Sequence, residues 1–337
     1  DRVCDICLKY NLKPIMWGDM YAAMGSESKN AFDLSLNISD DIINSVNPNV
    51  TLVYWDYNNN SYDAYDKLMG EYKKFKNELI FAGAVHSWNG FSCHYARTFN
   101  NTSLALKVCH KHGVKNIMAT IWGDNGAENY MFSNLLGILL FCEYRYQKEI
   151  DYSYLAQRFN ACTNADFERF YSLSELELTP YTDEKNLSNS NPSKWLMYQD
   201  ILLGLFDKHV ENMPLLSEHY RKCKEKYLEY YKSKNNFNEV FLLPYLVASV
   251  LEIKCDIGVR LKKAYDEKNQ TVLQKILNND LPALKIRLKE LINGHRELWY
   301  STYKPFGYEV MDMRYGSILQ RIDTAEKRLS DYLCGKI

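Results

Sequence analysis

The 337-residue chain has no apolar run long enough to cross a bilayer. Its longest, Leu135 to Cys142, falls far short of the roughly 20 residues a spanning helix needs. It has no excess of either charge: 41 basic and 42 acidic side chains leave a formal net charge of −1. Without a global field, neither nucleic acid nor an anionic membrane surface is an expected partner. It has no cysteines or histidines clustered at metal-ligand spacing. Nine cysteines, an odd number, are scattered along the chain. One Cys-x-x-Cys, Cys4 and Cys7, sits in a helical pattern without a second pair, and reads as two helix thiols rather than a zinc or redox site. No metal and no cofactor is expected. Unpaired thiols at this density fit a reducing compartment, so a cytoplasmic location is expected. The opening residues carry no signal-peptide pattern, and the chain reads as beginning mid-domain. Strand-like alternation is also missing beyond about Asp151.

What is present is an ordinary globular composition, 46% hydrophobic and 25% charged, with length enough for two domains. Many of the 27 tyrosines fall in amphipathic helical patterns of the second half, where packing is their expected use. Four tryptophans, Trp17, Trp55, Trp88 and Trp122, recur at intervals of 38, 33 and 34 residues. Three close a short apolar run and the fourth lies just past one. The runs are Leu12 to Trp17, Val50 to Trp55, Leu79 to Ala84 and Asn116 to Trp122, and each reads as a buried strand.

Helices are expected between them: the opening turns to Tyr10, a start at Ser39-Asp40-Asp41, Tyr62 to Lys76, Thr102 to Lys111, and Ala127 to Tyr146. Long helical connections mean parallel pairing and right-handed crossovers. The repeat supplies four strands where a (β/α)8 barrel needs eight. The expected fold is therefore α/β plus all-α: the C-terminal half of a TIM barrel over residues 1–150 (strands five to eight), followed by an α-helical domain over 151–337. Its expected helices are Asp151–Ala161, Ala165–Leu176, Lys194–Val210, Pro214–Lys232, Pro244–Tyr265, Thr271–Tyr300 and Val310–Leu333, with a polar loop at Asn186–Ser193.

Barrel active sites lie at the C-terminal ends of the strands. Side chains alternate along a strand, so Asp19 shares a side with Trp17, Tyr57 with Trp55, and Asp124 with Trp122. Indole faces that stack on the C–H face of a sugar and carboxylates that accept from its hydroxyls converge on one rim. Glu128 follows shortly after, in the first turn of the expected helix, where an acid also suits the dipole. His86 and His94 lie on the third rim loop, with the surface the expected place for them. Tyr54, Asp56, Tyr62 and Asp63 surround the end of the second strand. Asp19 and Asp124 do not read as an acid/base pair, since nothing nearby in sequence would raise the pKa of one.

These residues carry a resemblance. Leu12-Lys13-Pro14-Ile15-Met16-Trp17-Gly18-Asp19-Met20 resembles the fifth barrel strand of family 20 glycoside hydrolases, in the β-N-acetylhexosaminidase branch related to streptococcal N-acetylglucosaminidases with a helical C-terminal domain. Tyr54-Trp55-Asp56-Tyr57 resembles the sixth strand. Phe81-Ala82-Gly83-Ala84 through Trp88-Asn89-Gly90-Phe91 resembles the seventh, and Trp122-Gly123-Asp124-Asn125-Gly126-Ala127-Glu128 the eighth. The likeness extends to Gly294-His295-Arg296-Glu297-Leu298-Trp299 and Met313-Arg314-Tyr315-Gly316.

The resemblance implies removal of a terminal β-linked N-acetylhexosamine with retention, the nucleophile being the substrate's own 2-acetamido carbonyl. It implies that Trp17, Trp55 and Trp122 wall the sugar pocket. Tyr57, or alternatively Tyr54, would bond the acetamido oxygen, and Asp124 would bind O4 and O6. Asp19 and Glu128 would be further hydroxyl contacts, and Trp88 would line the aglycone side. The Asp-Glu pair of such enzymes ends the fourth strand, so no catalytic dyad is expected within the chain; Asp183-Glu184 and Asp266-Glu267 follow no strand. Expected partners are an N-acetylhexosamine-terminated glycan, the missing N-terminal half of the barrel and a second copy in a homodimer. Competing readings are a non-catalytic carbohydrate-binding protein and a barrel glycosidase using Asp19 and Glu128. One set, His295, Arg296, Trp299, Lys304 and Arg314, is unusually cationic and aromatic for a plain bundle, and is expected either to cap a helix end or to pack near a barrel mouth.

Overall fold

The computed structural model describes residues 1–188 and 190–337; Asn189, within the polar Asn- and Ser-rich loop, lies outside the described residues. Strands β1 (Ile15–Trp17), β2 (Thr51–Trp55), β3 (Leu79–Ala84) and β4 (Asn116–Thr120) form one parallel sheet in that order. Trp17 stands opposite Val53, Trp55 opposite Ala82 and Ala84 opposite Thr120. Helix α1 (Arg2–Lys9) precedes the sheet. The crossovers carry α2 (Asp19–Met24), α3 (Asp40–Ser45), α4 (Tyr62–Tyr72) and α5 (Tyr95–Lys111), and α6 (Leu135–Glu143) follows β4. Parallel neighbours require such crossovers, as the repeat led us to expect.

The chain divides into two compact units. The first comprises Asp1–His86, Ala96–Trp122 and Gly137–Leu155. Its core is the α4 side of the sheet. Tyr65, Leu68, Met69 and Tyr72, at helical spacing on α4, are buried with Leu52, Tyr54 and Phe81. Tyr54 stacks on Tyr72 (ring centroids 4.4 Å apart) and meets Phe81 edge-on at 5.5 Å. On β1 the side chains remain open: Ile15 is 56% exposed and Trp17 37%. Among the described residues the outer edges of β1 and β4 have no strand partner.

Three expectations are corrected here. Helix α5 begins at Tyr95, not Thr102. The polar run Asn100-Asn101-Thr102 looks like a break in sequence, but Asn101 and Thr102 are buried and donate to the backbone oxygens of Tyr57 and Ala84. Trp122 lies two residues beyond β4 rather than closing it. The helix expected from Ala127 starts only at Leu135, because Asn125, Gly126 and Ala127 have φ of 55°, 118° and 52°, values a right-handed helix excludes.

The second unit comprises Ser87–Tyr95, Gly123–Leu136 and Ala156–Ile337. Both segments that leave the C-terminal ends of β3 and β4 thus belong to it by contact. The remainder is helical: α7 (Tyr152–Thr163, its first turn in the other unit), α8 (Phe167–Tyr171), α9 (Pro192–Tyr198), α10 (Asp207–Val210), α11 (Leu216–Tyr231), α12 (Leu242–Asp266), α13 (Gln270–Lys275), α14 (Leu281–Thr302) and α15 (Glu309–Leu333). Helix α12 is the centre of this unit, packed by α9, α11 and α14. Leu281, Leu284, Leu288, Leu291 and Leu298 give α14 a buried stripe, and Met311, Tyr315, Ile318, Ile322, Ala325 and Leu329 give one to α15.

The helix expected over 194–210 is broken. α9 stops at Tyr198, where Gln199 turns extended and the buried Lys254 of α12 donates to the Leu196 and Gln199 carbonyls at 2.8 and 2.7 Å. An amino group inserted at a helix C-terminus satisfies carbonyls that would otherwise be orphaned, while burial pulls the Lys254 amine down to about 7. Among the described residues no helix is long and apolar enough to cross a membrane.

Candidate functional site

In the first unit, the strand ends gather a row of rings. Trp17 lies 6.1 Å from Trp122, Trp122 lies 6.3 Å from Tyr57, Tyr57 lies 5.0 Å from Trp55, and Trp55 lies 4.7 Å from Phe32, all centroid to centroid. These separations lie in the range of favourable aromatic pairs. Trp17, Trp55, Tyr57 and Trp122, taken from the strand ends in sequence, are therefore brought together. Phe32 was not foreseen, because it comes from the irregular segment after α2 and no periodicity marks it.

Tyr57 is held by its backbone. His86 Nε2 meets the Tyr57 carbonyl at 2.8 Å, and Asn101 donates to the same oxygen at 3.1 Å. Asp56 shapes the turn: its carboxylate accepts from the backbone N–H of Asn58 and Asn59, both at 3.1 Å, and from the Tyr54 hydroxyl at 2.9 Å. Burial raises the Asp56 carboxyl, while these donors pull it back down. Alternation on β2 puts Trp55 on the face opposite Tyr54, and Tyr57, beyond the strand end, lies beside Trp55 although it is buried. Tyr54 is fully buried with its hydroxyl on Asp56, and Tyr57 is itself buried at 8% exposure. His86 and His94 are buried rather than on the surface, 1% and 3% exposed. His86 serves the Tyr57 backbone, a role with no sequence signal.

In the second unit, Asp124 is exposed, and among the described residues no donor engages its carboxylate. Glu128 is the opposite. Its side chain is shut off from solvent, with Arg314 Nη1 at 2.7 Å, Lys194 Nζ at 3.0 Å and the Tyr198 hydroxyl donating at 3.2 Å. Buried carboxylates persist when paired and hydrogen-bonded in this way. Glu128 is in no helix first turn, and its oxygens are engaged by these three groups.

The same two cations reach further. Arg314 donates to the Asn125 carbonyl at 2.9 Å and to Asn125 Oδ1 at 2.8 Å, and Lys194 donates to the Asn125 carbonyl at 3.0 Å. The Arg314 guanidinium lies over the Tyr198 ring, 5.2 Å from its centroid.

The cationic and aromatic set of α14 and α15 divides accordingly. Arg314 faces Glu128. His295 bonds the Tyr315 hydroxyl at 2.9 Å, and burial pushes its imidazole down to about 4, offset in part by a hydrogen bond with the Glu128 backbone. Arg296 pairs with Asp312 of α15 at 2.9 Å, and Trp299 donates to the Lys304 carbonyl just past the end of α14 at 2.8 Å.

Trp88 is half-buried in the other segment of this unit, 87–95. That segment is tied down by Asn191, which donates to the Asn89 carbonyl at 2.7 Å, and by Ser92, which donates to the Leu173 carbonyl at 2.8 Å. Glu177 sits under Gly90, so close that any Cβ there would strike its carboxylate. Burial lifts the Glu177 carboxyl to about 7, against the pull of the Ser193 hydroxyl and amide. Asp19 heads α2 and is half-buried.

Residues 168–337 match the family model described as Glycoside Hydrolase 20C C-terminal domain. No curated protein matches the chain. Solved structures do match. One is a GH138 enzyme targeting pectin rhamnogalacturonan II, at 11% identity over 97% of this chain and 70% of that one, with a TM-score of 0.41. So distant a likeness does not bear on activity.

Proposed function

Since the chain belongs to the family of the glycoside hydrolase 20C C-terminal domain, we propose that it is the sugar-binding portion of a retaining β-N-acetylhexosaminidase. The observation that carries this reading is the row of Trp17, Trp122, Tyr57 and Trp55 at the C-terminal ends of four sequentially ordered parallel strands. That order supports strands five to eight of a (β/α)8 barrel over 1–150, with 151–337 as the appended helical domain.

In this reading the indoles stack on the apolar face of the terminal sugar and on its acetamido methyl. The Tyr57 O–H donates to the acetamido oxygen and holds it beneath the anomeric carbon. That oxygen attacks as the glycosidic bond breaks, and the leaving oxygen takes its proton from a Glu of the dyad upstream. Water then opens the oxazolinium ring and gives its proton to the same Glu, so that two inversions yield retention. Asp124 accepts from O4 and O6, and Asp19 is a further acceptor. Trp88 lines the leaving-group side. Glu128 supports the Asp124 turn instead of touching sugar.

The open faces of the first unit support the association proposed with the N-terminal half of the barrel or with a second copy. Val3, Leu8, Leu12 and Ile15 are all more than half exposed. Beside the free edge of β4 runs a groove of about 610 Å³ lined by Ile80, Ile117, Met118, Ile138 and Phe141.

The test is hydrolysis of a chromogenic β-N-acetylglucosaminide by the whole protein, with and without a thiazoline inhibitor. The reading expects turnover that the inhibitor abolishes, and none for a β-glucoside that lacks the acetamido nucleophile. Equal turnover of both glycosides sinks it, and sugar binding without any turnover would favour a carbohydrate-binding module.

A further inference from the structure

We propose that Arg314 of α15 and Lys194 of α9 are positioning residues that hold the turn after Asp124 so that its carboxylate meets the sugar hydroxyls. The inference rests on the role given to Asp124 above. Three consecutive residues after it occupy left-handed backbone: Asn125 at φ 55°, Gly126 at 118° and Ala127 at 52°. Asn tolerates that region and Gly suits it, but Ala does not, and such runs persist only where the surroundings over-determine them.

Here the surroundings are the two cations. Arg314 grips Asn125 at both its carbonyl and its side-chain oxygen, while Lys194 takes the carbonyl. Each is in turn anchored on Glu128, three residues further along the same turn. The loop is thus closed on itself through two side chains that come from 66 and 186 residues away. Gly126 completes the fit, because a Cβ there would lie 2.5 Å from Arg314 Nη1 and 3.0 Å from Glu128 Oε1. Lys194 is itself placed by α9, whose end Lys254 secures.

Asp124, one residue before the gripped Asn125, has no described protein donor of its own, so its direction is set by the turn and not by a partner. Remove the grip, and the strained turn has a lower-energy backbone to relax into, which swings the carboxylate away. Selectivity at the hydroxyls met by Asp124 would then depend on side chains that never touch sugar.

The test uses the whole enzyme and the ratio of kcat/KM for a β-N-acetylglucosaminide to that for its 6-deoxy analogue, which lacks the hydroxyl assigned to Asp124. Asp124→Ala sets the baseline, with an expected fall in the ratio of about ten-fold, the size of one hydrogen bond to a charged group. Arg314→Met is expected to lower the ratio by a similar factor, Arg314→Lys to restore part of it, and the Asp124→Ala/Arg314→Met double variant to fall no further than either single one. Asn125→Gly keeps the left-handed backbone and removes only the side-chain acceptor, and is expected to lower the ratio as well; it serves if Arg314→Met does not fold. A merely structural Arg314 would lower activity toward both substrates alike. An unchanged ratio in Arg314→Met and Asn125→Gly, with the ratio collapsed in Asp124→Ala, overturns the inference. An unchanged ratio in Asp124→Ala overturns the reading of Asp124 itself, and the positioning role with it.

Discussion

Gly126→Ala is the most exacting perturbation of the Glu128 cluster. Two costs combine. At φ 118° any residue with a Cβ is strained, at about 1–3 kcal/mol for a residue forced into so sparse a region. The new methyl would also sit 2.5 Å from Arg314 Nη1 and 2.9 Å from Met311 Cε, so the guanidinium must shift against its bonds to Glu128 and Asn125. Losing hydrogen bonds to a charged group costs about 1.5–3 kcal/mol. Lys194 stays on Glu128 at 3.0 Å, so the carboxylate is not stranded and the larger penalty of an uncompensated buried charge does not apply. The expected loss is about 3–5 kcal/mol, or on the order of 10 °C in the melting temperature of a unit of this size. Urea unfolding followed by tryptophan fluorescence measures it. Gly316→Ala is the control: Gly316 lies within α15 with nothing within 4 Å of the methyl that alanine would add, so the substitution is expected to stabilise by about 0.5–1 kcal/mol. A Gly126→Ala loss below about 1 kcal/mol would refute the claim that Arg314 and the turn are mutually fitted.

Glu177 makes stability depend on pH. Its folded carboxyl titrates at about 7 against an ordinary 4.5, so between those values the folded state holds the extra proton. The contribution is full below pH 4.5 and is lost as pH rises through about 7, worth about 3 kcal/mol. Glu177→Gln is therefore expected to gain on the parent by about that much between pH 4.5 and 7.5 in denaturant titrations, and parallel curves would contradict it. Tyr57→Phe is expected to lower kcat by about a hundred-fold with KM little changed, since the hydroxyl acts on the acetamido oxygen as it attacks; a change confined to KM would relocate Tyr57 to ground-state binding. For the chain by itself, light scattering is expected to find association at micromolar concentration through the exposed residues of β1 and the groove beside β4; a monodisperse monomer would argue against it.

Much of this molecule is written in local pattern. Near-continuous apolar runs set off by helical stretches made the four strands, their parallel pairing and the helical second half legible, although β1 and most of β4 lie open instead of buried on both faces. Strand alternation likewise foretold that Trp55 would share a side with Tyr57, and the motifs around the strand ends pointed to the family that residues 168–337 match. What local pattern misjudged were places where a distant group decides. Gly123 to Gly126 reads as a turn and Ala127 as a helix start, yet Asn125, Gly126 and Ala127 all have positive φ, and Arg314 and Lys194 bond the Asn125 carbonyl. The run from Lys194 to Val210 is helical in pattern, yet ends at Tyr198 because a buried lysine from α12 takes its carbonyls. His86 reads as a surface residue, yet is buried on the Tyr57 carbonyl. The sequence by itself determined the four strands, their parallel pairing and the helical character of the second half, since these follow from local periodicity. Only the tertiary structure decided which carboxylate is open and which is spent, Asp124 or Glu128, because that depends on cations brought in from 66 and 186 residues away.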